Sequence, residues 1–293
     1  MRIGIVGSDN SHALAYAKIA NVDKAFEPYR VTMICGDDPQ KTKDVASEGE
    51  IPTIVESPQE MIGHIDAAIV VNRHGGLHAG NSIPLLESGI PVYVDKPFAV
   101  SLDDCADMLA AAERGSTWVT SFSSLRYSLD TAALEQEASS FGRIRAAQFA
   151  GPCDFDSEYA GPFFYATHVA DIMLRLMNGN INSLSAVQAG QGVAVTVQFE
   201  DDALAVINYM NDAQYHFTAT LFGENGYAHR EILAGHGAYT TAFGVFVQAL
   251  ESNTPPIPHD QLDVPIRFVH AINQSLAGNG DSVSLADVTH EED

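Results

Sequence analysis

The sequence predicts an α/β protein with a doubly wound parallel sheet at its N-terminal end, followed by an α+β domain built on a mostly antiparallel open sheet. Three observations predict it. The chain opens on an apolar, β-branched run, "RIGIVG", that breaks at a glycine. Similar short runs then alternate with helical periods as far as Ser121, the pattern of parallel strands joined by crossover helices. Beyond Phe122 strands follow one another with hairpin signals between them.

In the first part strands are expected at Arg2 to Val6, Val31 to Cys35, Ala67 to Val71, Pro91 to Val94 and Thr117 to Thr120, with a weaker one near Ile54. Helices are expected at Ser11 to Ala20, Leu77 to Glu87 and Leu102 to Arg114. Ligands of such a sheet bind beyond the carboxyl ends of its strands, where "GSDNSH", "CGDD", "NRHGGLH" and "VDKPF" fall. In the second part a helix at Ser128 to Ser139 precedes "GRIRAAQFAG" and an amphipathic segment from Phe164 to Met177. Strands are expected at Leu184 to Gln188, Val193 to Phe199, Ala203 to Tyr209, Phe217 to Phe222 and Ala228 to Ile232, with "FEDDA" and "GENG" as turns. The chain thus divides into 1–122 and 123–293, with "HEED" as a fraying acidic tail.

With 38 Asp and Glu against 15 Lys and Arg, the formal charge is -23 at pH 7, a surface that repels nucleic acid and anionic membranes. No apolar run approaches the roughly 20 residues of a membrane span, and the apolar start is only a strand long, so a cytoplasmic protein is expected. Three widely spaced cysteines, Cys35, Cys105 and Cys153, read as reduced thiols. The histidines His12, His74 and His78 fall at the same sheet edge as Asp95, the residue types a divalent metal takes. "HGGLH" is not a helical metal motif, because glycines interrupt it and no glutamate follows the first histidine, so no metal is expected.

The strongest local signal is "GIPVYVDKPFAVS", which places Lys96 at the mouth of the parallel sheet before a proline. With "RIGIVG", "IDAAIVV" ahead of His78, "LRY", "FGRI", "HVADIMLRLMNG" and "FEDDALAVI", the chain resembles, over nearly its whole length, the glucose-fructose oxidoreductase, inositol dehydrogenase and rhizopine catabolism (Gfo/Idh/MocA) family. The resemblance implies a Rossmann dinucleotide-binding domain and an α+β substrate and oligomerisation domain. It implies an NAD- or NADP-dependent oxidoreductase acting on a sugar, polyol or related hydroxy compound, working as a dimer or tetramer. The implied catalytic residues are Lys96 and His168, with Tyr165 adding a hydroxyl that Lys96 would help ionise. Cofactor contacts are expected from Gly7, Ser8, Asp9, Asn10, Ser11, His12, Asp37, Asn72, Arg73, His78, Asp95 and Lys96. Substrate contacts are expected from Arg126, Tyr127, Asp154 and His168.

Three positions mark the chain as a divergent member. Gly7 matches the first fingerprint glycine, but Asp9 and His12 replace the second and third, and Asp9, Asn10 and Ser11 are all good caps for the helix that follows. At the end of the second strand Gly36 takes the ribose-binding acidic position and leaves Asp37 one step along; an acidic Asp37–Asp38 pair favours NAD over a 2′-phosphate. Phe164 replaces the aspartate that family dehydrogenases carry four residues before the histidine, leaving His168 as acid or base, while Asp171 and Arg175 are spaced as a helix ion pair. These departures keep open an alternative: a relative without redox chemistry that senses a small ligand or serves as an assembly partner.

Overall fold

The structure is a computed structural model and describes residues 1–289; the acidic "HEED" tail lies outside the described residues. The chain forms two compact units, Met1–Phe122 with Tyr239–Asp263, and Ser123–Ala238 with the chain from Val264 onward. The sequence reading keeps all of 123–293 together; in the structure Tyr239–Asp263 packs with the first unit.

The first unit holds six parallel strands: β1 (Arg2–Val6), β2 (Arg30–Cys35), β3 (Thr53–Ile54), β4 (Ala67–Val70), β5 (Val92–Val94) and β6 (Val119–Ser121). Their order is β3-β2-β1-β4-β5-β6, so the direction of winding reverses between β1 and β4. The central strands are apolar throughout, as a sheet covered on both faces requires. The crossover helices are α1 (Ser11–Ala17), α2 (Pro39–Glu48), α3 (His78–Glu87) and α4 (Leu102–Arg114). In α4 Ser101 caps the N-terminus, Asp103 and Asp104 occupy the first turn, and Leu102, Cys105, Met108 and Ala112 turn to the core. The helix expected to Ala20 changes at Lys18 to five residues of π-helix, and Asn21 within it hydrogen-bonds the backbone of Val31, Gly49 and Glu50.

The unit's core is aromatic. The Tyr16 and Tyr93 hydroxyls lie 3.1 Å apart, Tyr93 donates onward to the Phe122 carbonyl, and Tyr93 and Phe122 stack at 4.5 Å. Phe243 and Phe246 of α7 (His236–Ser252) pack on this cluster, and this contact brings the late segment into the first unit. The sequence does not announce α7, because Gly237, Gly244 and a Thr240–Thr241 pair depress its helical propensity.

The second unit holds a seven-stranded sheet of order β12-β11-β7-β10-β9-β8-β13. Its strands are β7 (Ile144–Pro152), β8 (Ile181–Ala189), β9 (Gly192–Phe199), β10 (Leu204–Met210), β11 (Phe217–Gly223), β12 (Gly226–Ile232) and β13 (Val283–Ser284). Every pairing is antiparallel except β7 with β10. In β9 Val193, Val195, Val197 and Phe199 point inward, while Ala194, Thr196 and Gln198 face out, the alternation of a half-covered sheet. The unit's helices are α5 (Leu129–Ala138), α6 (Phe163–Met177) and α8 (Val264–Ala277), of which α6 and α8 pack on each other. Among the described residues no helix is long and apolar enough to cross a membrane.

Candidate active site

Each unit gathers its own set of polar side chains. In the first unit, the turn after β1, the segment after β4 and the segment after β5 converge at the carboxyl edge of the sheet, where the winding reverses. Gly7 makes the turn at φ +101°, and a Cβ there would stand 2.6 Å from the Asn72 amide nitrogen, so only glycine fits. Asn10 is the cap of α1: its side chain accepts from the His12 amide at 3.3 Å. Asp9 turns away from the helix and accepts from the Arg73 amide at 3.3 Å. Ser11 stays exposed, and the Ser8 hydroxyl sits 2.8 Å from that of Thr42.

His12, expected as a cofactor contact in place of the third glycine, is buried, with Nδ1 2.5 Å from Asp95 Oδ2. Asn10 Nδ2 donates to the same oxygen at 3.4 Å. The other oxygen, Asp95 Oδ1, is buried without a hydrogen-bond partner. Burial would lift the Asp95 carboxyl; His12, Lys96 and His78 outweigh it and hold the group below its ordinary value. Lys96, 4% exposed, is pushed down to about 8 by burial, with Arg73 acting in the same direction and Asp95 against it.

His78 was expected to touch the cofactor too. It is fully buried instead, Nδ1 2.7 Å from the Pro97 carbonyl and Nε2 2.9 Å from the Asn72 carbonyl, and braces the Lys96 segment against the end of β4. Asn72 itself is fixed by Asn81 at 2.9 Å. The three histidines do not converge on a metal position: His74 Nδ1 accepts from the Gly76 amide, and among the described residues no group of three or more His, Cys, Asp or Glu could hold an ion.

At the end of β2 the helix-capping role falls to Asp38, which accepts from Gln40 and Lys41, while Asp37 remains exposed. Gly36 explains the displaced acid, since any Cβ there would overlap the Ser8 hydroxyl. The edge as a whole fits a dinucleotide. Gly7 permits close backbone approach, the first turn of α1 holds no acidic residue, the Asp9 carboxylate is drawn aside by Arg73, and Asp37 stands open beyond β2.

In the second unit, His168 on α6 is buried, with Nδ1 2.6 Å from Ser123 Oγ. Asp171, one turn along, accepts from the Ser123 amide at 2.5 Å and pairs with Arg126 at 3.4 Å; burial lifts its carboxyl. The i, i+4 pair expected of Asp171 with Arg175 is not formed. Arg175 reaches Glu135 and the Arg126 carbonyl instead, while the Asp171 carboxylate is taken by the Ser123 amide and Arg126. Tyr127 lies beneath both guanidinium groups, 5.9 Å from Arg126 and 5.0 Å from Arg175, and burial raises its phenol. Tyr165 sits among the rings of Phe164, His168 and Tyr215. Asp154 closes a local turn on the Asp156 amide. Sequence reasoning missed Ser123, because a serine in "SFSSLRY" carries no signal of its own until the fold sets it beside His168.

Known proteins share the fold. Residues 1–122 match the model of an oxidoreductase family described as an NAD-binding Rossmann fold, the Gfo/Idh/MocA family. Inositol 2-dehydrogenase 2 of Paenarthrobacter aurescens is 24% identical over 243 residues, covering 74% of this chain and 71% of its own. Among solved structures, scyllo-inositol dehydrogenase from Lactobacillus casei, with bound NAD(H) and scyllo-inositol, superposes at a TM-score of 0.83 with 15% identity, covering 98% of this chain and 99% of the other. Myo-inositol 2-dehydrogenase from Lactobacillus plantarum gives 0.82 with 14% identity over 97% and 99%.

Proposed function

We propose that this chain, whose first 122 residues match the NAD-binding Rossmann model of the Gfo/Idh/MocA oxidoreductase family, is a nicotinamide-dependent dehydrogenase of a polyol or sugar. The observation that carries the reading is the buried Lys96 at the reversal point of the sheet, pushed down to about 8 and so able to exchange a proton near neutral pH. The nicotinamide, when bound, accepts or returns the hydride. Gly7, Ser8, Asn10 and Ser11 would hold the diphosphate, with Asn72 and Arg73 beside them, and Asp37 would take the ribose 2′-hydroxyl, which favours NAD over NADP.

Lys96 lowers the cost of the charge that develops on the substrate oxygen and takes up the hydroxyl proton as its amine. His168, Arg126, Tyr127 and Asp154, all of the second unit, belong to the substrate side. Phe164, where relatives carry an aspartate, leaves this chain one carboxylate short and makes Lys96 the principal proton carrier. Homo-oligomerisation through the open sheet and a cytoplasmic location complete the proposal.

The test is a panel of inositols, sugars and sugar acids offered with NAD⁺ and NADP⁺, following nicotinamide absorbance. Turnover with at least one polyol and its loss in Lys96→Met support the reading. Equal rates in wild type and Lys96→Met contradict it. One observation favours the second reading, a sensor or assembly partner without redox chemistry: the carboxylate of Asp9 stands on the turn after β1, where the dinucleotide-binding fingerprint calls for glycine. Binding of a polyol without any nucleotide binding would select it.

A further inference from the structure

The Ser123 hydroxyl accepts a hydrogen bond from the Leu125 amide at 3.1 Å and lies 2.6 Å from His168 Nδ1. Ser123 is fully buried, so water does not take its hydrogen. A hydroxyl that accepts from an amide still has one hydrogen to place, and the ring nitrogen beside it is the acceptor in reach. Leaving that hydrogen unplaced in the interior would carry the full desolvation cost of an unsatisfied buried donor. The serine is itself held, because the Asp171 carboxylate accepts from its amide and Arg126 pairs with Asp171.

We propose that Ser123 is a positioning residue that holds neutral His168 in the tautomer carrying its hydrogen on Nε2, by donating its own hydroxyl hydrogen to Nδ1. His168 then offers a substrate oxygen an N–H and not a lone pair. It stabilises charge on that oxygen as a neutral hydrogen-bond donor and does not accept the hydroxyl proton. This rests on the proposed dehydrogenase reading only in naming a hydroxyl or carbonyl oxygen as the acceptor. The tautomer is a property of the protein without nucleotide.

The experiment is long-range ¹H–¹⁵N correlation of the histidine rings in the full-length, ¹⁵N-labelled protein at mildly alkaline pH, with His168→Asn identifying the signal. Wild type is expected to show an unprotonated Nδ1 and a protonated Nε2. Ser123→Ala is expected to give a mixture or the opposite tautomer, and Ser123→Thr, which keeps the hydroxyl, to restore the first pattern. Where substrate turnover is measurable, Ser123→Ala lowers kcat on the order of tenfold with KM little changed, and Ser123→Thr recovers it. A wild-type ring protonated on Nδ1 overturns the proposal, whether or not the alanine variant folds. So does a Ser123→Ala spectrum identical to wild type. Absence of nucleotide binding with the expected wild-type tautomer would remove the dehydrogenase reading and leave this one standing.

Discussion

His12 Nδ1 and Asp95 Oδ2 lie 2.5 Å apart, one in the first turn of α1 and the other at the end of β5, and both side chains are buried. The pair ties the helix that follows the β1 turn to the residue that precedes Lys96. Removing one partner strands the other in the interior. His12→Ala and Asp95→Asn should each lower unfolding free energy by about 3–5 kcal/mol, and the double variant by less than their sum. Urea denaturation checks this; strictly additive losses would show that the two side chains do not depend on each other.

Two buried groups make the fold sensitive to acid. Burial lowers the His78 imidazole, although the Asn72 and Pro97 carbonyls and Asp95 oppose the shift. The unfolded chain therefore binds this proton first, so stability is complete above about pH 6.5, falls as the pH drops through that value, and levels off at the folded value. Asp95, held low, adds stability that is present above its unfolded value of about 4 and is lost as the pH falls through the folded one. Urea midpoints measured from mildly alkaline to mildly acidic pH should fall in wild type and run flatter in His78→Gln. A parallel fall in both would contradict this role for His78.

Lys96 titrates near 8 chiefly because it is buried, and Arg73 pushes it the same way. The rate of polyol oxidation should rise with pH through about 8 as the amine forms. Arg73→Ala should move that limb to higher pH, and Lys96→Met should abolish it while costing several orders of magnitude in kcat/KM. A limb that stays in place in Arg73→Ala would show that the guanidinium does not act on the lysine.

Asp9 is the one carboxylate on the turn between β1 and α1, and it meets the Arg73 amide without capping the helix. Asp9→Asn keeps that acceptor and removes the charge. Nucleotide affinity should rise about three- to tenfold, more at low salt than at high salt. An unchanged Kd at both salt levels would place the diphosphate away from this side chain.

How far the sequence is legible follows from where its signals are local. The parallel strands, α4 from Leu102 to Arg114 and the hairpin of β9 and β10 are readable because strand period, caps and turn residues all lie within the segment. The strand β7 and helix α7 escape for the opposite reason: "IRAAQFAG" is rich in alanine and glycine, and α7 is helical because its phenylalanines find Tyr16 and Tyr93. Within the candidate site, His12, Asp95, Lys96 and His168 are visible as residue types. Their partners are not, because the His12–Asp95 and Ser123–His168 pairs join positions 83 and 45 residues apart. The i, i+4 spacing of Asp171 and Arg175 misleads, since partners distant in sequence, Ser123 and Arg126 for Asp171 and Glu135 for Arg175, claim the two side chains that sequence alone places together.

The most direct test is a calorimetric titration of NADH, and separately NADPH, into the purified full-length chain. One saturating site per chain, tighter for NADH and tightened further in Asp9→Asn, is the result this account predicts. A folded protein that takes up neither nucleotide at millimolar concentration would contradict it, since Gly7, Asn10 and Ser11 would then close the turn without serving a diphosphate.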